Sequence, residues 1–154
     1  MATISLMARM RRVVAVGYPH HVTQRGNFRR NVFLDDEDRE TYLALLAKSA
    51  SSAELDILGY CLMTNHVHLI VVPKKRDSMA TALRRVHGSY SQWLNIRLRR
   101  TGHAWQNRYF SCPLGPSHVA YAMRYVEFNR APRRVVTQRG ARPAPGGHRV
   151  CLDS

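Results

Sequence analysis

The chain has 154 residues and 45% hydrophobic content, which suits a single domain with one buried core. Its 24 lysines and arginines against 10 acidic residues produce a formal net charge of +14. This charge favours a polyanionic partner, most commonly nucleic acid, and the alternative is a basic protein that merely sits in acidic surroundings.

The first predicted elements are a strand and a helix. Residues 17–25, GYPHHVTQR, alternate weakly between polar and apolar side chains and run into RGN, which predicts a strand followed by a turn. Four acidic residues at 35–38 then open a segment in which Tyr42, Leu45 and Leu46 recur at helical spacing. Acidic side chains are stabilising at a helix N-terminus, so we expect the first helix to begin there.

Two apolar runs follow, rich in β-branched residues. Residues 55–63 and 66–72 are joined by Thr64 and Asn65, which suit a tight turn, and Pro73 ends the second run. The pattern predicts a β-hairpin.

A long amphipathic helix is expected next, from Ser78, which can cap it, to about residue 100. We interpret the arginines on its polar face as a solvated surface that attracts phosphate generally. The segment HAWQNRYFSCPL, residues 103–114, predicts a further strand. A last helix over 117–129 has its core stripe at Val119, Ala122, Met123 and Val126.

The predicted order of strand, helix, strand, strand, helix, strand, helix indicates an α+β fold, a ferredoxin-like antiparallel sheet with helices packed on it. We expect residues 1–14 to form a basic N-terminal extension and residues 15–132 to form the domain. Residues 133–154 are rich in arginine, proline and glycine, and we expect a basic, disordered tail there.

Two histidines stand out in the second hairpin strand. His66 and His68 are two residues apart, so on a strand they point to the same face. Two neutral imidazoles held by a rigid sheet form half of a metal site. The alternative is a pair of ordinary, hydrogen-bonded core histidines.

The last helix offers the missing groups. Tyr125 and Asn129 are four residues apart and share a helix face, on the flank of the stripe that packs on the sheet. Two imidazoles with one carboxamide oxygen suit Mg²⁺ or Mn²⁺. The alternatives are a packing aromatic for Tyr125 and a helix C-cap for Asn129.

At this point the sequence resembles the HUH single-tyrosine transposases, and among them the REP-associated tyrosine transposase-like proteins. The resemblance covers residues 16–129. It rests on YPHHVTQRGN, the Asp-rich start of the first helix, YCLMTNHVHLIVVP, GHAWQNRYFS and RYVEFN, which occur in this order.

The resemblance implies a role for each matching position. His66 and His68 correspond to the histidines that hold the divalent metal, Asn129 to the third ligand, and Tyr125 to the nucleophile that forms a 5′-phosphotyrosine intermediate. It also implies a single-stranded DNA endonuclease and strand transferase acting at hairpin, REP-like palindromic DNA, as a monomer or homodimer. The proline that usually follows Asn129 is displaced, because the chain reads NRAPRR from residue 129 to residue 134.

A single-stranded substrate needs cationic walls and aromatic stacking platforms. The candidates after the first strand are Arg25 and Asn27, with a plain turn as the alternative. The candidates before the last helix are Trp105, Gln106, Arg108 and Tyr109, with a core position as the alternative for Trp105.

Two other functions stay open from the sequence. One is a non-catalytic regulator that binds hairpin DNA or RNA through the same groove. The other is a zinc hydrolase built on His66 and His68, for which the sequence offers no good third ligand or general base. The three cysteines are isolated and form no CxxC pair, which fits a reducing compartment. No apolar run reaches the roughly 18 to 20 residues of a membrane span, so we expect a cytoplasmic, nucleoid-associated protein without a membrane partner.

Overall fold

A computed structural model describes residues 11–129 of the chain. Seven regular elements follow one another in the predicted order. They are β1 (His20–Arg25), α1 (Asp36–Ser52), β2 (Leu55–Leu62), β3 (His66–Pro73), α2 (Ser78–Leu98), β4 (Phe110–Pro113) and α3 (Pro116–Phe128).

The strands form one antiparallel sheet in the order β2-β3-β1-β4. β3 pairs with β2 through the hairpin and with β1 on its other side, where Thr23 lies opposite His68 and Arg25 opposite His66. β1 and β3 are therefore the two central strands. The α+β prediction is confirmed, with the three helices packed on the sheet.

The larger core lies between the sheet and the pair α1 and α2. Val22, Leu69 and Val71 point to this side, since side chains alternate along each strand. Four aromatic rings fill the space beneath the helices, each within 6.4 Å of another by ring centroid: Phe33, Tyr42, Tyr90 and Trp105. Each buried side chain of this size contributes roughly 1.5 to 3 kcal/mol of hydrophobic stabilisation.

Among residues 11–129, α3 is the helix that covers the opposite side of the sheet. Ile70 and Val72 of β3 pack there with Ala122 and Val126 of α3 in a separate, smaller apolar cluster. Gly59 on β2 permits the close approach of α3, because a Cβ atom at that position would lie 3.3 Å from the sulfur of Met123. This second side is where the even-numbered residues of β3, including the two predicted metal ligands, are directed.

The turn after β1 also depends on a glycine. A Cβ atom on Gly26 would lie 2.3 Å from the carbonyl oxygen of Arg30. The chain then forms a short 3₁₀ turn at Asn27–Arg29, with Phe28 and Arg29 in the left-handed region at φ 52° and 56°. The RGN sequence thus ends β1 in a tight turn.

The structure corrects two predicted elements, α2 and the strand before α3. Ser78 does not cap α2 from outside: it is the first helical residue, and its hydroxyl accepts a bond from the backbone N–H of Lys75 instead. The predicted strand over 103–114 is only four residues long, because the chain enters the core at Trp105 and forms a single bridge there with Gly26. α1 begins as predicted, with the Asp35 carboxylate accepting from the N–H of Asp38.

The predicted tail and most of the predicted N-terminal extension lie outside the described residues. So does the displaced proline of NRAPRR. Within the described part, Arg12 of the extension donates two hydrogen bonds to the carbonyl of Tyr109, at 2.7 and 3.2 Å. No helix among residues 11–129 is both long and apolar enough to cross a membrane.

Candidate active site

Three histidines lie in a row on the side of the sheet that α3 covers, and we call them the histidine row: His21, His68 and His66. His66 and His68 come from β3, and their ring centroids are 4.9 Å apart. His21 comes from β1, and its ring is stacked on that of His68 at 5.2 Å with an interplanar angle of 5°. The prediction that His66 and His68 share a face is consistent with this geometry.

The Nδ1 atoms of both β3 histidines already have partners. Asn65 Oδ1 lies 2.6 Å from Nδ1 of His66, and His21 Nε2 lies 2.9 Å from Nδ1 of His68. The Nε2 atom of His68 is buried and has no hydrogen-bond partner within residues 11–129. A buried polar atom without a partner is unusual and needs an explanation, such as an ion that binds there.

The last helix brings its tyrosine to this row. The Tyr125 ring lies 5.3 Å from the His68 ring by centroid and meets it at 70°. Asn129 ends α3, where its side-chain amide donates to the Tyr125 carbonyl at 3.1 Å, a capping bond of the kind that the sequence left open. Its Oδ1 atom takes no part in that bond.

The position of Asn129 relative to the sheet is defined by a cysteine. The Cys61 thiol donates to the backbone carbonyl of Asn129 at 3.1 Å, and Cys61 lies directly across from His68 in the β2–β3 pairing. Tyr125 and Asn129 therefore lie on the same side of the sheet as the paired imidazoles. Whether Asn129 acts as the third ligand stays a prediction.

The electrostatic surroundings keep the β3 imidazoles neutral. Burial lowers the pKa of His68 to about 3, helped by the neighbouring His21, His66 and Arg25. Burial also lowers the pKa of His66, with the positive charge of Arg25 as the second cause. Neutral imidazoles are the form that binds a metal ion, so both side chains are available as ligands at neutral pH.

The donor set is short of charged ligands. Across residues 11–129, no group of three or more histidine, cysteine, aspartate or glutamate side chains is arranged to hold a metal ion. The donors predicted from the sequence, the imidazoles of His66 and His68 and the amide oxygen of Asn129, all lie on this side. Such a mixed set leaves coordination positions for water or phosphate oxygen.

Part of the predicted nucleic-acid surface adjoins this site. Arg25 is the cross-strand neighbour of His66. The Gln106 N–H donates to the Arg25 carbonyl at 2.8 Å, and the Asn27 N–H donates to the Ala104 carbonyl at 2.8 Å. Arg25, Asn27 and Gln106 are thus brought together at the end of β1, beside the histidine row.

The remaining predicted binding residues lie elsewhere. Trp105 is 8% exposed and its indole N–H donates to the His87 carbonyl at 3.1 Å, so its ring occupies the core position that the sequence had left as the alternative. Arg108 and Tyr109 line a cavity of about 680 Å³ beside α2. Arg12 stacks over the Tyr109 ring there, 3.8 Å from its centroid. The single groove expected from the sequence is therefore divided between two sides of the molecule.

Comparison with protein families identifies the chain. Residues 15–129 match the model of the family described as IS200-like transposases. The chain belongs to this family. The matched range spans every element from β1 to α3, and with them the histidine row and Tyr125. No curated protein sequence matches the chain.

The fold of this IS200-like transposase is similar to that of two solved structures. One is a REP-associated tyrosine transposase bound to a REP hairpin, at a TM-score of 0.66 and 17% identity over 80% of this chain and 72% of that chain. Another is a Deinococcus radiodurans R1 protein assigned as a transposase, at a TM-score of 0.54 and 17% identity over 82% of this chain and all of that chain.

Three residues near the site were missed from the sequence. His21 and Asn65 contact the ring nitrogens of the β3 histidines, and Phe110 is 51% exposed. Phe110 pairs with Thr23, which in turn pairs with His68, so its ring lies on the same side as the histidine row. Strand alternation in HHVTQR shows that either His20 or His21 faces this side of the sheet, but the sequence does not show which of the two.

Proposed function

We propose that this chain is a divalent-metal-dependent single-stranded DNA endonuclease and strand transferase. In this proposal Tyr125 is the nucleophile, His66, His68 and Asn129 hold Mg²⁺ or Mn²⁺, and the substrate is a DNA strand adjoining a hairpin. The membership of the chain in a transposase family supports the general activity. The residue roles and the substrate are the proposal.

The observation that carries the proposal is the contact between the Tyr125 and His68 rings. A tyrosine nucleophile must be close to the group that stabilises the phosphate it attacks. The half-buried position of Tyr125 leaves part of its side chain open to an incoming strand.

The residues fit a bound cation. His68 Nε2 is buried without a partner, the Nδ1 atoms of both β3 histidines have partners, and the Asn129 Oδ1 is not used by the capping bond. When bound, Mg²⁺ or Mn²⁺ supplies positive charge that stabilises the developing charge on the non-bridging oxygens of a phosphate.

The proposed reaction is an in-line displacement at phosphorus. The Tyr125 oxygen forms the new bond to the phosphorus and gives its proton to water. The bond from the phosphorus to the 3′ oxygen of the preceding nucleotide breaks, and that oxygen takes up a proton from water. The products are a 5′-phosphotyrosine and a free 3′-OH. Because the phosphodiester energy is kept in the tyrosine ester, a second 3′-OH can be joined without another energy source.

The arrangement around the site suits an unpaired strand. Arg25, Asn27 and Gln106 lie beside the histidine row, and Phe110 exposes an aromatic ring on the same side. Cationic groups that follow the backbone and a ring on which bases stack are the usual features of a single-strand groove. The similar structure was solved with a REP hairpin bound, which makes a hairpin oligonucleotide the first substrate to try.

A covalent capture experiment tests the proposal. The protein is incubated with Mn²⁺ and an oligonucleotide that carries a hairpin, single-stranded flanks and a label at its 3′ end, and the products are separated on a denaturing gel. We expect a labelled protein–DNA adduct that depends on the metal. Tyr125→Phe should form no adduct and should still bind the oligonucleotide, because it lacks only the hydroxyl.

Tyr121→Phe is the matched control, since Tyr121 lies one turn earlier on α3 and is 58% exposed. It should form the adduct as the wild type does. Binding of the hairpin without any adduct, with either Mg²⁺ or Mn²⁺, would instead support the non-catalytic hairpin-binding regulator. An adduct formed equally by Tyr125→Phe would refute the assignment of the nucleophile.

A further inference from the structure

His21 is a buried polar residue with no role in the reaction described above. It is 2% exposed, and its Nε2 atom lies 2.9 Å from Nδ1 of His68. The two rings are nearly parallel, with an interplanar angle of 5° and their centroids 5.2 Å apart. A polar side chain on a central strand is rarely buried without a reason, because its hydrogen-bonding groups lose their contacts with water.

The hydrogen bond between His21 and His68 can form in two ways, which differ in the ring that donates. A neutral imidazole carries one N–H group and one lone pair. In the first arrangement His68 donates from Nδ1 to His21, and the Nε2 atom of His68 keeps its lone pair. In the second arrangement His21 donates from Nε2, and the proton of His68 is then on its Nε2 atom.

The two arrangements differ in what they leave at His68 Nε2. This atom is buried and has no partner within residues 11–129. The second arrangement would leave a buried N–H group without an acceptor there, which is unfavourable, and it would also block metal binding. The first arrangement leaves the lone pair that a cation requires.

His66 has a corresponding partner on its Nδ1 atom. The Oδ1 atom of Asn65 lies 2.6 Å away and can only accept, so the proton of His66 is on Nδ1. The Asn65 amide is oriented by its other end, since its Nδ2 atom donates to the Arg29 carbonyl at 3.5 Å. Both β3 histidines would thus present Nε2 to the same cation, each held by a different acceptor.

We propose that His21 is a positioning residue of the metal site: it accepts the hydrogen bond from Nδ1–H of His68 and so holds that ring in the orientation and tautomer that bind the cation. This inference rests on the proposed function, because it assumes that His68 is a ligand. Acceptors of this kind commonly change metal affinity by about 10- to 100-fold when they are removed.

The first test needs no variant and no metal. In the wild-type protein labelled with ¹⁵N-histidine, the ring nitrogen shifts of His68 report which atom carries the proton. We expect the proton on Nδ1. A proton predominantly on Nε2 of His68 would overturn the proposal.

The second test is the affinity for Mn²⁺ alone, measured by electron paramagnetic resonance titration of folded protein. His21→Leu keeps a side chain of similar length but removes the acceptor, and we expect about 10- to 100-fold weaker binding. His21→Gln places an amide oxygen near the former Nε2 atom and should recover affinity to within a few fold of the wild type.

His20→Leu is the matched control. His20 is also buried, but it points to the opposite side of the sheet, where it contacts the Tyr18 carbonyl at 2.8 Å and the Ala15 N–H at 3.1 Å. It should leave Mn²⁺ affinity within about twofold of the wild type. A merely structural role for His21 predicts equal effects for the two leucine variants, and that result would overturn the proposal.

The outcomes separate this inference from the proposed function. If the wild type binds Mn²⁺ in a His21-dependent manner but forms no DNA adduct, the proposed function fails and the positioning role stands. If an adduct forms and His21→Leu binds Mn²⁺ as the wild type does, the positioning role fails and the proposed function stands. If the wild type binds no Mn²⁺, the positioning role is overturned.

Discussion

The two sides of the sheet use the same residue type in different ways. On the α1 and α2 side, His87 is stacked on Tyr42 and lies at a tilt of 45° to Trp105, and its Nε2 atom is 3.1 Å from the Tyr42 hydroxyl. On the α3 side, His68 is stacked on His21 and approaches Tyr125, but its Nε2 atom has no partner within the described residues. Both have a pKa lowered to about 3 by burial.

A low pKa therefore does not by itself distinguish a functional histidine from a structural one. What distinguishes His68 is the combination of an unpartnered buried nitrogen, a second imidazole from the same strand and a tyrosine from α3. The large aromatic core on the α1 and α2 side provides stability, whereas the small cluster under α3 leaves room for polar groups. The two sides can thus be altered separately.

The largest difference should appear in stability. Leu69 and Ile70 are consecutive on β3, both fully buried, and point to opposite sides of the sheet. We expect Leu69→Ala to lower the free energy of unfolding by about 4 kcal/mol and Ile70→Ala by about 2 to 3 kcal/mol, since the smaller cluster can collapse more easily around the cavity. Urea denaturation of both variants measures this, and equal losses would show that the two cores are equivalent.

Activity should show the opposite dependence. His68→Ala should lower the single-turnover rate of adduct formation by at least about 100-fold, or roughly 2.7 kcal/mol, because it removes a proposed metal ligand. His87→Gln, on the other side of the sheet, should leave the rate per folded molecule within about twofold of the wild type. A loss of similar size in His87→Gln would contradict the separation of the two sides.

The neutral His87 should make the fold sensitive to acid. Burial lowers the folded pKa of His87 to about 3, below the ordinary histidine value of 6.5. As the pH falls through 6.5 the unfolded chain therefore binds a proton first, and stability is lost from there down to about pH 3. Because the ring borders the cavity beside α2, where water screens the charge, we expect a loss of about 2 kcal/mol by pH 4.

Chemical denaturation at a series of pH values measures this loss. His87→Phe removes the titrating group and should be less sensitive to acid over the same range. The wild type and His87→Phe losing stability in parallel would show that other groups cause the effect.

The smallest expected effect concerns a single phosphate contact. If about six phosphates are neutralised, log affinity for single-stranded DNA should fall with log salt at a slope near −4. Arg25→Gln should make this slope shallower by about 0.7, because Arg25 lies beside the histidine row. Arg85→Gln, on α2 and bonded to Ser52, should change it less. A flat salt response in the wild type would contradict binding through a basic groove.

The sequence by itself determined the order of the elements and which residues share a face. Strand alternation directs His66 and His68 to one side whatever the strand packs against, and the spacing of four residues places Tyr125 and Asn129 on one side of a helix. These are local relationships, set by backbone geometry within a few residues. The resemblance to a transposase family rests on the same local blocks, and the family is confirmed.

The tertiary structure decided what local patterns leave open. Whether His20 or His21 joins the site depends on the register between β1 and β3, which is set by pairing across more than 40 residues. Trp105 was an equally good stacking platform or core residue until the packing of α1 and α2 placed its ring among Phe33, Tyr42 and Tyr90. Side-chain partners come from distant segments, so only the folded chain shows that the buried Nε2 atom of His68 has no partner among residues 11–129.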